Sequence, residues 1–188
     1  MKPRTFSTPH AARAAFLALA MFAGAMPSLA APPQVGDLAP DAVGYDAENQ
    51  QTSPASYRGK VVVVSFWASW CPPCLNEMPI LESIQKTAGK RQIQVIAVNT
   101  ELLDTYRRLA RKLADFELTV THDAGNRTAK AYDVNGIPHR IIIDRTGHIV
   151  RIHRGYREDA LDEIVADINQ ALRARNTPPD AVKDAVPR

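Results

Sequence analysis

Cys71 and Cys74 are the only cysteines among 188 residues, and they sit in the stretch FWASWCPPCLNEMPILE, residues 66–82. A pair so spaced suits four kinds of chemistry: a metal clip, a haem anchor, a structural staple, or a couple cycling between thiol and disulfide. Structural zinc asks for four ligands, and there is no second cysteine pair. Covalent haem attachment asks for histidine directly after the second cysteine, where this chain has Leu75. A peroxidatic cysteine closing P-x-x-x-T-x-x-C is ruled out by Ala68 and Val64 at the Thr and Pro positions. A disulfide across two intervening residues removes little unfolded-state entropy and makes a poor staple.

A redox couple accounts for more of the surroundings. The run KVVVVSFWA (60–68) delivers Cys71 to the start of a helical pattern, where free N–H groups and the helix dipole favour the reactive thiolate. Cys74 follows one turn later, within reach of a mixed disulfide on Cys71. Pro72 and Pro73 fit the first helical turn, which has no use for their missing N–H groups. They also remove two donors to a thiolate. The expectation is a Cys71 pKa moderately below about 8.5, and not near the value of about 3.5 found in a strong oxidant.

The elements that must hold this couple alternate along the chain. Residues 60–68 and IQVIAVN (93–99) are continuous apolar runs, as strands buried on both faces are. Helical spacing runs from Cys74 to about Gly89 and from Leu102 to Phe116. A weak hairpin is expected across 41–52, a short strand at 118–123 and a short helix over Asn126 to Asp133. RIIID (140–144) and HIVRIH (148–153) flank an Arg145-Thr146-Gly147 turn and predict an antiparallel pair. A last helix, from about Glu158 to Ala174, has an acidic start and a basic end, as the helix dipole favours. Strand and helix alternation closed by a hairpin and a helix implies one central sheet covered on both faces.

Residues 1–30 read as a secretory signal. Lys2, Arg4 and Arg13 supply charge, Ala14 to Ala25 an apolar stretch, Pro27 a break, and Ser28-Leu29-Ala30 the small residues of a cleavage site after about Ala30. The stretch is shorter than the roughly 20 residues that span a bilayer, so an uncleaved anchor is the lesser reading. The mature protein is then expected in a bacterial periplasm, or outside a cell, where disulfides form. Cleavage leaves 158 residues with 20 basic and 20 acidic side chains, so the basic pI belongs to the signal and is no evidence for nucleic acid. Proline-rich residues 31–40 read as a lead-in linker with little capacity to pack. Residues 41–175 read as one domain, and 176–188 as a flexible tail.

GKVVVVSFWASWCPPCLNEMPILE resembles the active-site segment of the thioredoxin superfamily, in particular its exported TlpA/ResA-like thiol–disulfide oxidoreductases. The resemblance runs from about Val35 to Ala174. It implies an α/β thioredoxin fold: a central mixed β-sheet flanked by helices on both faces, with an N-terminal extension and an inserted helix/strand unit. Pro79 matches the proline inside the first helix of the superfamily. YDVNGIPHRIIID resembles the segment carrying its cis-proline, here Pro138, behind Ile137. Thioredoxins proper bury an aspartate where this chain has Ser65, whereas TlpA/ResA-like proteins have a glutamate where this chain has Glu77. A half-buried carboxyl beside Cys74 should titrate high and exchange a proton with the thiol. The family usually has threonine after the cis-proline, and this chain departs from it with His139 and then Arg140. His139 is either a group beside the disulfide or a partly exposed loop histidine.

The resemblance implies that Cys71 attacks, Cys74 resolves, Glu77 assists proton transfer and Pro138 shapes the substrate groove, with Trp70, Pro72, Pro73, Ile137 and His139 in support. Trp70 and Trp67 are candidates for a partner platform, Trp67 equally for the core. No cofactor is implied, since the electrons reside on the cysteine pair, and no metal. The implied function is reduction of disulfides in exported proteins, of cytochrome c maturation or copper-site assembly type. A membrane thiol transporter would recharge a monomer. The rivals are the oxidase or isomerase direction, and a Cu(I) chaperone using Cys71, Cys74 and His139.

Overall fold

The computed structural model of the chain describes residues 31–155, 157 and 160–174. The expected signal, the expected tail and Glu158, where the last helix was expected to begin, lie outside them. Five strands form one mixed sheet: β1 (Val61–Trp67), β2 (Ile93–Asn99), β3 (Thr119–His122), β4 (His139–Ile143) and β5 (Ile149–Arg154). Their order is β3-β2-β1-β4-β5. β1 pairs in parallel with β2 and antiparallel with β4, so the strand leading to the cysteines has a neighbour on each side. Every residue of β1 and β2 is buried, as their unbroken apolar runs predict.

Strand alternation divides the core in two. Val61, Val63 and Trp67 face α1 (Pro72–Ala88) and α4 (Ala160–Arg173), meeting Met78, Leu81, Ile164 and Ile168. Val62, Val64 and Phe66 face the other way, toward Val43, Ala129 and Tyr132 beside α3 (Arg127–Ala131). α2 (Leu103–Lys112) packs Leu109 against the first cluster and sends the Tyr106 hydroxyl to the carbonyl of Val120 at 3.1 Å. Each large aliphatic side chain so buried stabilises the fold by about 1.5–3 kcal/mol.

Local differences from the sequence reading have local causes. α1 begins at Pro72, because both prolines occupy its first turn. Its end is sharp: Gly89 takes φ 85° and returns its N–H to the carbonyl of Gln85 at 2.8 Å. α2 stops at Lys112, where the N–H of Leu113 turns to the carbonyls of both Leu109 and Ala110. The expected hairpin over 41–52 is a bridge between Tyr45 and Gln51, and Tyr45 also bridges His122 of β3.

The lead-in packs, contrary to expectation. The N–H of Gly36 donates to the carbonyl of Ile149, the N–H of Ile149 to that of Asp37, and the N–H of Ala39 to that of Gly147. The chain then crosses the α3 face, where Tyr132 donates its hydroxyl to the carbonyl of Pro40 at 2.6 Å and Val43 is fully buried. The backbone groups of the residues between the prolines, together with the carbonyl of Pro40, are what tie the segment to the domain.

Candidate active site

The cysteines stand where strand gives way to helix. β1 ends at Trp67, three residues follow, and Cys71 caps α1, its Sγ accepting the N–H of Cys74 at 3.3 Å. The two sulfurs are joined in a disulfide with Cα atoms 5.3 Å apart. Both cysteines are buried, at 4% and 2% exposure, whereas the adjacent Trp70 is 68% exposed. Trp67 is core, so Trp70 alone of the two tryptophans offers a surface to a partner.

The loop between β1 and α1 is clamped. Glu101 accepts the Ser69 N–H at 2.7 Å and its hydroxyl at 2.9 Å, and Asn99 holds the same carboxylate at 3.1 Å. Sequence reading missed Glu101; the only signal was a polar Asn-Thr-Glu where a buried strand ends. α1 is clamped at its far end by Gln85, which accepts the Val95 N–H at 2.6 Å and donates to the carbonyl of Glu117 at 2.7 Å. Pro79 lies inside α1 and supplies no N–H to the carbonyl one turn earlier.

The Ile137–Pro138 peptide bond is cis, as the resemblance implied. Ile137 packs against both core clusters, including the one that contains Cys71 and Cys74. Glu77 is fully inside rather than half-buried, at 3% exposure, and pairs with Arg140 at 2.7 Å. Burial pushes its carboxyl above the ordinary range, and the guanidinium of Arg140 opposes that rise.

His139 is the main correction. It is neither a loop residue nor beside the disulfide: it opens β4, opposite Phe66, at 1% exposure. Its ring meets Phe66 edge-on at 6.1 Å, on the sheet face that carries Tyr132, while the cysteines belong to the other face. Alternation along β4 therefore sends Arg140, and not His139, toward α1. A copper site built from Cys71, Cys74 and His139 has its third ligand on the wrong side of the sheet. Burial first, then the charges of Arg154 and Arg140, lower the His139 pKa to about 4.

A thioredoxin-type sheet that presents a disulfide at the start of a helix, with a cis-proline directly before the antiparallel neighbour of the strand leading to it, defines a thiol–disulfide oxidoreductase. The Redoxin family model matches residues 34–172, and the chain belongs to that family. It is 33% identical over 124 residues to the thiol–disulfide oxidoreductase ResA of Geobacillus thermodenitrificans, covering 64% of this chain and 70% of the relative. To the thioredoxin-like protein YneN of Bacillus subtilis it is 34% identical over 124 residues, covering 65% and 72%. Among solved structures, a Chlorobium tepidum protein assigned as thiol:disulfide interchange protein DsbE superposes with a TM-score of 0.66 at 31% identity, over 74% of this chain and 99% of that one. The protein is a ResA-like protein-disulfide oxidoreductase working through Cys71 and Cys74.

Proposed function

We propose that this oxidoreductase works in the periplasm as a reductant of disulfides in exported proteins. Cys71 attacks the client disulfide, Cys74 resolves the mixed disulfide, and Glu77 exchanges a proton with Cys74. Pro138 and Ile137 border the groove in which Trp70 meets the client. The carrying observation is the poverty of donors at Cys71: among the described residues one backbone N–H reaches its Sγ, and the next two residues are prolines without N–H groups. A thiolate so modestly stabilised favours the disulfide form of the pair less weakly than a strong oxidant does, and so favours giving electrons away. Export rests on the signal pattern in residues 1–30. Among the described residues no helix is long and apolar enough to cross a membrane. Clients of cytochrome c maturation or copper-site assembly type, and a membrane thiol transporter as electron donor, complete the reading. The protein acts as a monomer.

Equilibration against glutathione or dithiothreitol, followed by the fluorescence of Trp70, tests the direction. A potential near or below about −230 mV supports a reductant, and one near −120 mV makes the protein an oxidase.

A further inference from the structure

Arg140 is a full charge in the domain interior, 1% exposed. It sits on β4, cross-strand from Ser65 of β1 and from His153 of β5. Its Nη1 donates to Glu77 Oε2 at 2.7 Å, and its Nη2 donates to the carbonyl of Gly155. The second carboxylate oxygen, Oε1, is buried and has no partner among the described residues. Taking both charges out of water costs several kcal/mol, and a well-packed apolar pair often does as well for stability. Stability is therefore a poor reason for this pair. Its place is a better one: Glu77 follows Cys74 by three residues, one turn along the same buried helix face, with roughly 5–6 Å between Cβ atoms.

We propose that Arg140 is a positioning residue for thiol–disulfide exchange, holding Oε2 of Glu77 so that Oε1 is left free to take the proton of the Cys74 thiol. The proposal rests on Glu77 being that proton acceptor. Before transfer the buried group comprises a neutral thiol, a carboxylate and a guanidinium. Afterwards it comprises a thiolate, a neutral carboxyl and the same guanidinium, so net charge stays at zero and no new charge is buried. Without Arg140 burial would act on the carboxyl unopposed and favour its protonated form, which can accept no further proton.

The step balances. The S–H bond of Cys74 breaks as an O–H bond forms on Oε1. The thiolate then attacks Cys71 in the mixed disulfide, the Cys71–Cys74 bond forms, and the client sulfur leaves with the electron pair. That sulfur takes up one proton, so the client is reduced by two electrons and the cysteine pair oxidised by two. Two other titratable groups share this face: His153 of β5, and Asp167 of α4, which pairs with it at 3.0 Å. Burial holds the His153 pKa below its ordinary value.

The test follows reduced protein reacting with excess Ellman's reagent in a stopped-flow cell, from pH 5 to 9. Attack by Cys71 releases one chromophore, and attack by Cys74 on the mixed disulfide releases the second. Glu77→Gln is expected to slow the second release by roughly tenfold or more at neutral pH and to move its pH profile upward. Arg140→Gln, which can still hydrogen-bond, is expected to do the same. The double variant should be no slower than either single one, and Arg140→Lys should restore most of the rate. A wild-type second phase in Arg140→Gln, with Glu77→Gln slow, overturns the role of Arg140 and leaves that of Glu77 standing. A wild-type phase in both removes the role of Glu77 and with it the proposal. Should Arg140→Gln fail to fold, the ¹³C carboxyl resonance of Glu77 in the oxidised wild-type protein decides. Ionised at pH 7 it supports the proposal, and protonated it overturns it.

Discussion

Acidification should weaken this fold through His139, and the size of the effect follows from its surroundings. The ring is buried against Phe66 in the sheet and its pKa falls from 6.5 to about 4. The unfolded chain therefore takes up a proton first as pH falls, and stability drops between those two values. At about 1.36 kcal/mol per unit, the loss on going from pH 7 to pH 5 comes to about 2 kcal/mol, and to about 3 kcal/mol by pH 4. His139→Leu keeps an apolar side chain of similar size in the site and removes the titration. Urea unfolding of both oxidised proteins at pH 7 and pH 5 isolates the term, because every other titrating group is common to the two. The wild type should lose about 2 kcal/mol more than the variant over that range. At pH 7 the variant should be no less stable, since Nε2 of His139 is buried with no hydrogen-bond partner among the described residues. Equal losses in the two proteins would refute the placement of His139 in the sheet interior.

Further outcomes follow from the site and its clamps. Cys71→Ser should abolish insulin reduction, and Cys74→Ser should accumulate a mixed disulfide with its client, visible on non-reducing gels. Gln85→Leu strands the Val95 N–H inside the protein and should cost about 1–3 kcal/mol in denaturant unfolding, with the redox potential unchanged. Glu101→Ala frees Ser69 and the loop bearing Trp70 and Cys71, and should lower both stability, by about 2 kcal/mol, and the rate of insulin reduction. Trp70→Ala should raise KM for a protein client while leaving the unfolding midpoint unmoved, because its ring is exposed.

What could be read from the sequence was what local pattern or a local motif encodes. β2 runs over Ile93–Asn99 as its apolar run predicted, and β1 differs only at its ends. A strand buried on both faces admits little else at those positions. The cysteines were legible because their spacing leaves few chemistries open. The cis state of Pro138 had no local signal and came through family resemblance. His139 was misread because strand β4 begins at it rather than after it, and in a strand a single position decides which face a side chain joins. The Arg140–Glu77 pair was out of reach: the partners are 63 positions apart, and only the β1–β4 register brings one beneath the other.

The packed lead-in has a consequence for the edges of the sheet. Both outermost strands of the sheet, β3 and β5, would otherwise present free backbone donors and acceptors, the template on which sheets of separate molecules join. Residues 36–39 bond to Gly147 and Ile149 where β5 begins, and Tyr45 exchanges two backbone hydrogen bonds with His122 where β3 ends, so one short segment covers one end of each outer strand. Trimming the chain to residue 46 would leave every cysteine, carboxylate and proline of the site in place. It would also uncover an end of both outer strands at once, and the shortened protein should aggregate at concentrations where the longer one does not.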